Sequence, residues 1–355
     1  MKGAPSARRE ERKMPRELRQ MGVLERIASG LWGLLKCGVD SNEKTSPAPD
    51  RDGRQMDRVR TIPFVALHLS FLAVFVVGWS PIAVTLAMLM YAVRMFAITG
   101  FYHRYFSHRS FRTSRAMQFL FALIGASAVQ RGPLWWASNH RMHHTHSDRP
   151  SDIHSPVQHG FWWSHMGWFL SFQQLSIKWN RIHDFAKYPE LRFLDRFEVV
   201  VPLVLAMSLF GFGQWVGLAY PTLGTNGLQM LVWGFVISTV ALYHGTFTIT
   251  SLSHRVGRRR FETSDHSRNS LLLALITFGE GWHNNHHFYP SSAKQGFKWW
   301  EIDITYYLLK GLQFCGVIWD IRPVPVWVLD SQKSGEMGKN ADSKKMAIGP
   351  SPLLE

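Results

Sequence analysis

Four apolar stretches interrupt an otherwise polar, basic chain, at residues 61–79, 82–100, 197–219 and 228–250. A helix crossing the hydrocarbon core of a bilayer, about 30 Å thick, needs roughly 20 mostly apolar residues, and each stretch has that length. Ser80-Pro81 joins the first two and YPTLGTNG, residues 220–227, joins the last two, so each pair is expected to form a hairpin. Neither short loop holds a Lys or Arg. Apart from Arg94 in the second stretch, every Lys and Arg lies outside the four, on the opposite side. That bias places both termini and the long polar segments in the cytoplasm. Arg94 is left to snorkel or to pair inside the bundle. Two shorter runs, 116–130 and 270–279, are too short to span and read as helices lying at the interface or capping the bundle. The Trp-rich GFWWSHMGWF, 160–169, suits an interfacial belt.

Composition refines this picture in three places. The formal charge of +15 admits nucleic acid, anionic lipid or an anionic substrate as partner, but the membrane topology accounts for much of it and no nucleic-acid partner is expected. Cys37 and Cys315 are the only cysteines and form no CxxC, which argues against disulfides and iron–sulfur clusters. The first 60 residues hold no apolar run of the kind a secretory signal needs. Residues 1–60 therefore read as a basic cytoplasmic arm with an amphipathic helix near Leu24 to Leu35, residues 61–322 as a membrane domain, and 323–355 as a polar tail. No internal repeat is evident.

Nine of the 17 histidines fall into four groups: His103 and His108 in HRYFSH; His140, His143 and His144 in HRMHH; His254 in SLSH; and His283, His286 and His287 in HNNHH. All lie just beyond the second and fourth stretches, on the side assigned to the cytoplasm. In HxxHH, which occurs twice, residues i, i+3 and i+4 share one helical face. His103 and His108 would stand about 140° apart on a regular helix, so they need a helix end or a distortion to share a centre, or they serve different metals. Nine imidazoles exceed the coordination of one ion and fit two. Ligand type alone leaves iron, copper, nickel and zinc open. The expected architecture is an all-α integral membrane protein: four transmembrane helices in two hairpins, with a cytoplasmic helical cap holding a His-rich dimetal site. His68, His159, His165, His183, His244 and His266 read as isolated surface or core residues.

HRYFSH, HRMHH, SLSH and GEGWHNNHH, in this order and spacing, resemble the boxes of the membrane-bound fatty acyl desaturases. The likeness is greatest to bacterial acyl-CoA Δ9 desaturases, similar to animal stearoyl-CoA desaturase, and runs from about residue 60 to 320. YAVRMFAITGFYHRYFSH, DIHSPVQHGFWWSHMGW and GFKWWEIDITYYLLKGL extend it. The resemblance implies two Fe ions held by the nine histidines, O2 as co-substrate, and a cis double bond placed in a saturated acyl-CoA. It also places Gln130, Trp136, Thr246 and Phe247 along the bend of the acyl channel. Thr250 stands where the family commonly has an Asn that reaches one metal through water, and it is left out of the metal set.

Neutral imidazoles bound to metal call for carboxylates behind them, and Asp148, Asp152, Asp265 and Glu280 are near enough in sequence. No catalytic residue beyond the metal ligands is indicated. Arg104 and Arg141, with Arg109, Lys178 and Arg181, flank the boxes and are candidates for the phosphates of CoA or for a lipid headgroup. The chain has no HPGG haem motif, and GFGQWVG fails the dinucleotide pattern. Electrons are thus expected from a separate protein, ferredoxin-like or similar, with its reductase. The resemblance favours a bacterial inner membrane. The competing readings are a hydroxylase or other lipid oxygenase on the same core, a phospholipid-linked acyl desaturase, and a His-rich metal transporter or sensor. The last would need ionisable residues along the spans, which hold only His68, Arg94, Glu198 and His244.

Overall fold

The structure, a computed structural model, describes residues 54–174 and 176–330. The helix expected near Leu24 to Leu35 and the tail from 331 lie outside the described residues. Within them, four helices are long and apolar enough to cross a membrane: α1 (Arg58–Val77), α2 (Pro81–Ser107), α6 (Val200–Ala219) and α7 (Gly227–Leu252). Between α2 and α6 come α3 (Arg115–Ala126), α4 (Pro133–His146) and α5 (Pro189–Arg196). After α7 follow α8 (Leu271–Ile276), α9 (His283–Phe288), α10 (Ile304–Phe314) and α11 (Val326–Asp330). One antiparallel ladder, β1 (Arg112–Thr113) with β2 (Ile318–Trp319), sets Arg112 opposite Trp319.

Local chemistry fixes where the spans begin. Ser80 caps α2, its Oγ accepting from Ala83 N at 3.2 Å, and Pro81 supplies a first residue whose missing N–H costs nothing there. Asn226 caps α7 through Gln229 N at 2.9 Å. The two connections are tied to each other: Ser80 Oγ donates to Gln229 Oε1 at 2.7 Å, and Gln229 Nε2 donates to Val77 O at 3.1 Å. This fixes one end of the bundle, and α2 and α7 run from it towards the histidines. α1 buries no residue, as a helix facing lipid would, whereas α7 has over half its apolar window buried.

Arg94 does not snorkel. It is buried and bonds Ser238 Oγ, Thr239 Oγ1 at 2.7 Å and Met90 O at 3.0 Å, so α2 and α7 are bridged by a polar contact with no carboxylate in it. α3 is only 12 residues long and α8 six, and both leave apolar side chains exposed, Phe119 and Leu120 on one and Leu271 and Leu272 on the other. The region expected as a tail from 323 begins with an ordered turn: α11 buries Val328 against Phe261, Phe288 and Phe297, directly behind α9.

Candidate dimetal site

α2 does not end where its apolar run ends. From Ala97 to Ser107 it continues as a π-helix, in which hydrogen bonds join residues five apart. His108 N bonds His103 O at 3.2 Å, and the two rings come within 4.8 Å of each other. The distortion required by the HxxxxH spacing is therefore built into the helix, and both imidazoles reach one centre.

The two HxxHH motifs behave differently from the sequence expectation of three converging rings. On α4, His140 and His144 turn to one centre and His143 to another; on α9, His283 and His287 take the second centre and His286 the first. Helix geometry explains this: i+4 lies about 40° to one side of i, and i+3 about 60° to the other, so the motif straddles two sites. The two helices exchange ligands reciprocally, and this sets the centres side by side, with the His144 and His287 rings 4.5 Å apart. The first group is His103, His108, His140, His144 and His286; the second is His143, His254, His283 and His287. Within each group the ligating atoms all lie within 4.8 Å of one another.

The contacts within the groups are those of a metal cradle. Nε2 faces Nε2 at 3.0 Å for His103–His286, His140–His144, His144–His286 and His254–His283, and at 2.9 Å for His108–His140. Two ring lone pairs at that distance repel unless a proton or a cation lies between them. Burial, then the neighbouring rings, hold His108, His140, His144, His283 and His286 well below the ordinary imidazole pKa, so these rings are neutral and each keeps one nitrogen lone pair to offer a cation. A metal–imidazole bond of about 2.1 Å places ligand atoms at right angles about 3.0 Å apart, which matches the observed edges. His287 Nε2 is buried without a hydrogen-bond partner. The donor set thus fits two metal ions.

Each group is braced from behind. Asp152 accepts from His143 Nδ1 at 3.0 Å, Asp148 from His254 Nδ1 at 2.8 Å and Asp265 from His287 Nδ1 at 2.6 Å, while Glu280 pairs with His103 Nδ1. Burial alone would raise these carboxyls. The facing imidazoles and several hydroxyl and backbone donors outweigh it and hold Asp148, Asp152 and Asp265 far below the ordinary carboxylate range. In return Asp152 raises His143, whereas His287 stays depressed to about 4 because burial outweighs Asp265. Backbone placement serves the same end. Asp148 adopts a left-handed φ of 58° just past α4, and Asp195 accepts from Leu134 N and Trp135 N at 2.9 and 2.8 Å at the start of α4. Gly279 has φ 123°, and a Cβ there would stand 2.4 Å from Asp303 Oδ1.

One cavity of about 150 Å³ touches both groups. His103, His140, His143, His254 and His283 form its polar end, and Met95, Ile98, Phe169 and Ile249 its apolar wall. Gln130, Trp136, Thr246 and Phe247 all line it. Gln130 Nε2 donates to Thr246 Oγ1 at 2.8 Å, and Trp136 stacks on His140 with centroids 5.0 Å apart. Thr250 also lines it, but its hydroxyl is committed to Ser164 O at 2.8 Å and Phe247 O at 3.0 Å. Arg104 is buried and held by Asp303, Glu280 and Ala293 O. Arg141 is held by Asp184 and by the carbonyls of Phe106, Ser107 and Arg181. Neither lines the cavity.

Sequence reasoning passed over His154. It is buried, lies 4.3 Å from the His143 ring, lines the cavity and forms a third cluster with His143 and Asp152; burial depresses it to about 3. Its place two residues after Asp152 was the available signal. Of the histidines read as isolated, His159 bonds the backbone carbonyl of Asp152, and the His266 N–H donates to the Asp148 carboxylate at 2.8 Å and so steadies it. His165 bonds His244 and Ser251 beside Phe247.

Residues 52–314 match the model of the family described as fatty acid desaturase. The chain belongs to the fatty acid desaturase family. It is 36% identical over 278 residues to the chloroplastic palmitoyl-monogalactosyldiacylglycerol delta-7 desaturase of Arabidopsis thaliana, covering 77% of this chain and 71% of that protein. It is 34% identical to the sn-1 stearoyl-lipid 9-desaturase of Anabaena variabilis, covering 76% and 94%. It is 33% identical to the icosanoyl-CoA 5-desaturase of Limnanthes douglasii, covering 84% and 77%. The desaturase is thus a membrane protein of lipid metabolism whose His clusters can hold metal ions. Because its relatives include chloroplastic proteins, the expectation of a bacterial inner membrane gains no support.

Proposed function

We propose that the protein is an oxygen-dependent di-iron acyl desaturase that places a cis double bond at Δ9 of a saturated acyl chain carried by CoA. The single observation that carries the reading is the meeting of two imidazole groups at one narrow, mostly apolar cavity. His103, His108, His140, His144 and His286 would hold one iron, and His143, His254, His283 and His287 the other. When bound, an iron pair would activate dioxygen, the oxidant, to take hydrogen from an unactivated CH2–CH2. In the overall balance the substrate gives up two hydrogens with two electrons, a donor gives two further electrons, two protons are taken up, and dioxygen leaves as two waters.

The chain's own residues do the rest. Asp148, Asp152, Asp265 and Glu280 fix the tautomer of the four rings they face, so that each presents Nε2 to its group. Trp136 and Phe247 shape the cavity wall, and the Gln130–Thr246 bond closes a polar gap beside it. An acyl chain threaded there excludes water, and the cavity's shape selects which carbons face the imidazoles. The reading includes the hairpin pairing of the spans, cytoplasmic placement of the site from the Lys and Arg bias, and a separate electron donor.

A second reading, an acyl chain carried on a glycerolipid, is favoured by the burial of Arg104 and by the hold of Asp184 on the half-buried Arg141, which leaves neither free to meet CoA phosphates. Expression in a host lacking its own desaturase, with a competent donor and supplied saturated acids, tests the function. Mass spectrometry should locate new cis double bonds at C9–C10 that need oxygen and vanish in His143→Ala. Hydroxylated products, or unchanged lipids with the protein inserted, would overturn it. Purified protein given stearoyl-CoA or stearoyl lipid in separate reactions decides the carrier.

A further inference from the structure

On another face, sharing no lining residue with the acyl cavity, lies a cleft of about 470 Å³. It is lined by the β1–β2 ladder, the start of α3, residues 184–188 and Arg322. Five cationic side chains line it, Arg109, Arg112, Arg115, Lys187 and Arg322, against the two acids Asp184 and Asp320, and Arg115 is already held by Glu190 at 2.7 and 2.9 Å. The acids are already engaged: Asp184 holds Arg141 at 2.9 Å as well as Arg109 at 3.2 Å, and Asp320 is 3.5 Å from Arg112. Arg322 is half-buried and forms no ion pair among the described residues. Burial and the nearby Arg109 and Arg112 pull its pKa down. Arg112 and Arg115 also stand at the N-terminus of α3, the positive end of the helix dipole, and its first turn holds no acid.

An independent observation points the same way. Gln118, 3% exposed, lines this cleft. Its Oε1 accepts from the Tyr105 hydroxyl at 3.0 Å, while its buried Nε2 has no partner. A buried donor left without an acceptor is destabilising, because it has given up water and gained no partner. Crowded cations and an unanswered amide N–H share one requirement, an anion rich in acceptor oxygens. Guanidinium groups suit phosphate through bidentate bonding, and the cleft volume is that of a small-ligand site.

We propose that this cleft binds a phosphate group, through Gln118 Nε2 and the guanidinium groups of Arg112 and Arg322. The same chemistry is offered by the headgroup of an anionic phospholipid and by a soluble phosphate ester. Both can reach it, because α3 exposes Phe119 and Leu120 at the apolar surface and Trp319 is 43% exposed on the cleft wall. Since Asp184 holds both Arg109 in the cleft and Arg141 between His140 and His143, the ligand sits one ion pair away from α4.

The test uses the full-length, metal-loaded protein in detergent. Inorganic pyrophosphate is titrated calorimetrically. In parallel, the protein is mixed with phosphatidic acid or phosphatidylcholine and retained lipid is read by native mass spectrometry. Pyrophosphate binding at one per chain assigns a soluble phosphate ester; retention of phosphatidic acid over phosphatidylcholine without pyrophosphate binding assigns a lipid headgroup. In either case Arg112→Gln and Arg322→Gln should each weaken binding about tenfold or more. Arg112 is 71% exposed at its side chain, so its replacement leaves the fold intact even where a change at Arg322 does not. Binding of neither probe, binding unchanged in Arg112→Gln, or capture only of an acidic electron-transfer protein would overturn the proposal.

Discussion

Replacing Asp265 with Asn probes the second metal group in isolation. Asp265 Oδ2 accepts from His287 Nδ1 at 2.6 Å, while Oδ1 receives Thr263 Oγ1 at 2.8 Å, Ser267 N at 3.0 Å and Ser267 Oγ at 2.5 Å. The backbone N–H of Ser267 can only donate, so an Asn will keep its carbonyl oxygen on that side and turn its NH2 towards His287. The ring must then move its proton to Nε2, which removes the lone pair now unpartnered and available to the second group, or face one donor with another. Loss of such a supporting carboxylate costs 10–100-fold in metal affinity, about 1.4–2.8 kcal/mol. The first group does not depend on Asp265, because its carboxylate is Glu280 on His103. Metal content of the purified variant should fall from about two ions per chain towards one, and the second ion should yield to a chelator at 10–100-fold lower concentration. Size-exclusion chromatography controls for folding. Two ions held as tightly as in the parent protein would refute the bracing argument. So would loss of both ions from a folded variant, because the two groups would then not be separable.

Other predictions follow from the same geometry. The metal-free protein should lose thermal stability as pH falls from about 6.5 towards 4. His287 is depressed to about 4 and five other rings lie well below 6.5, so the unfolded chain binds more protons in that window; His143, which is raised, opposes this in part. Melting followed by circular dichroism checks it, and stability that is flat or rising on acidification contradicts it. Gly279→Ala forces a Cβ to 2.4 Å from Asp303 at φ 123° and should destabilise the protein by about 2 kcal/mol, seen as a lower yield of monodisperse protein. Phe247→Ala widens the cavity beside Thr246 and should shift the double-bond position or the preferred chain length while leaving metal content unchanged; product and metal analysis of one preparation decides this.

Much of this was legible because membranes impose simple rules. Four apolar runs of spanning length yield four long helices, since a backbone in lipid must satisfy its own hydrogen bonds. Dense histidines also survive translation into space: all nine meet in two groups. The division of HxxHH between two centres was not legible, because spacing says which side chains share a face and not what stands opposite. The π-helical course of Ala97–Ser107 was announced only indirectly, by the five-residue gap between His103 and His108. Arg104 looked available because the groups that bury it, Glu280 and Asp303, lie 176 and 199 residues away. The docking of α11 depends in the same way on Phe261, Phe288 and Phe297 from other segments. His154 was missed because a single His in a loop carries no periodicity.

The proposed function rests centrally on two iron ions in two adjoining imidazole groups, to which the reciprocal HxxHH helices and the ends of α2 and α7 contribute. Anomalous diffraction from crystals of the iron-loaded protein, collected on both sides of the iron edge, tests it most directly. Two iron peaks are expected, one among His103, His108, His140, His144 and His286 and the other among His143, His254, His283 and His287. A single peak, a zinc signal in place of iron, or histidines that part company around either peak would contradict it.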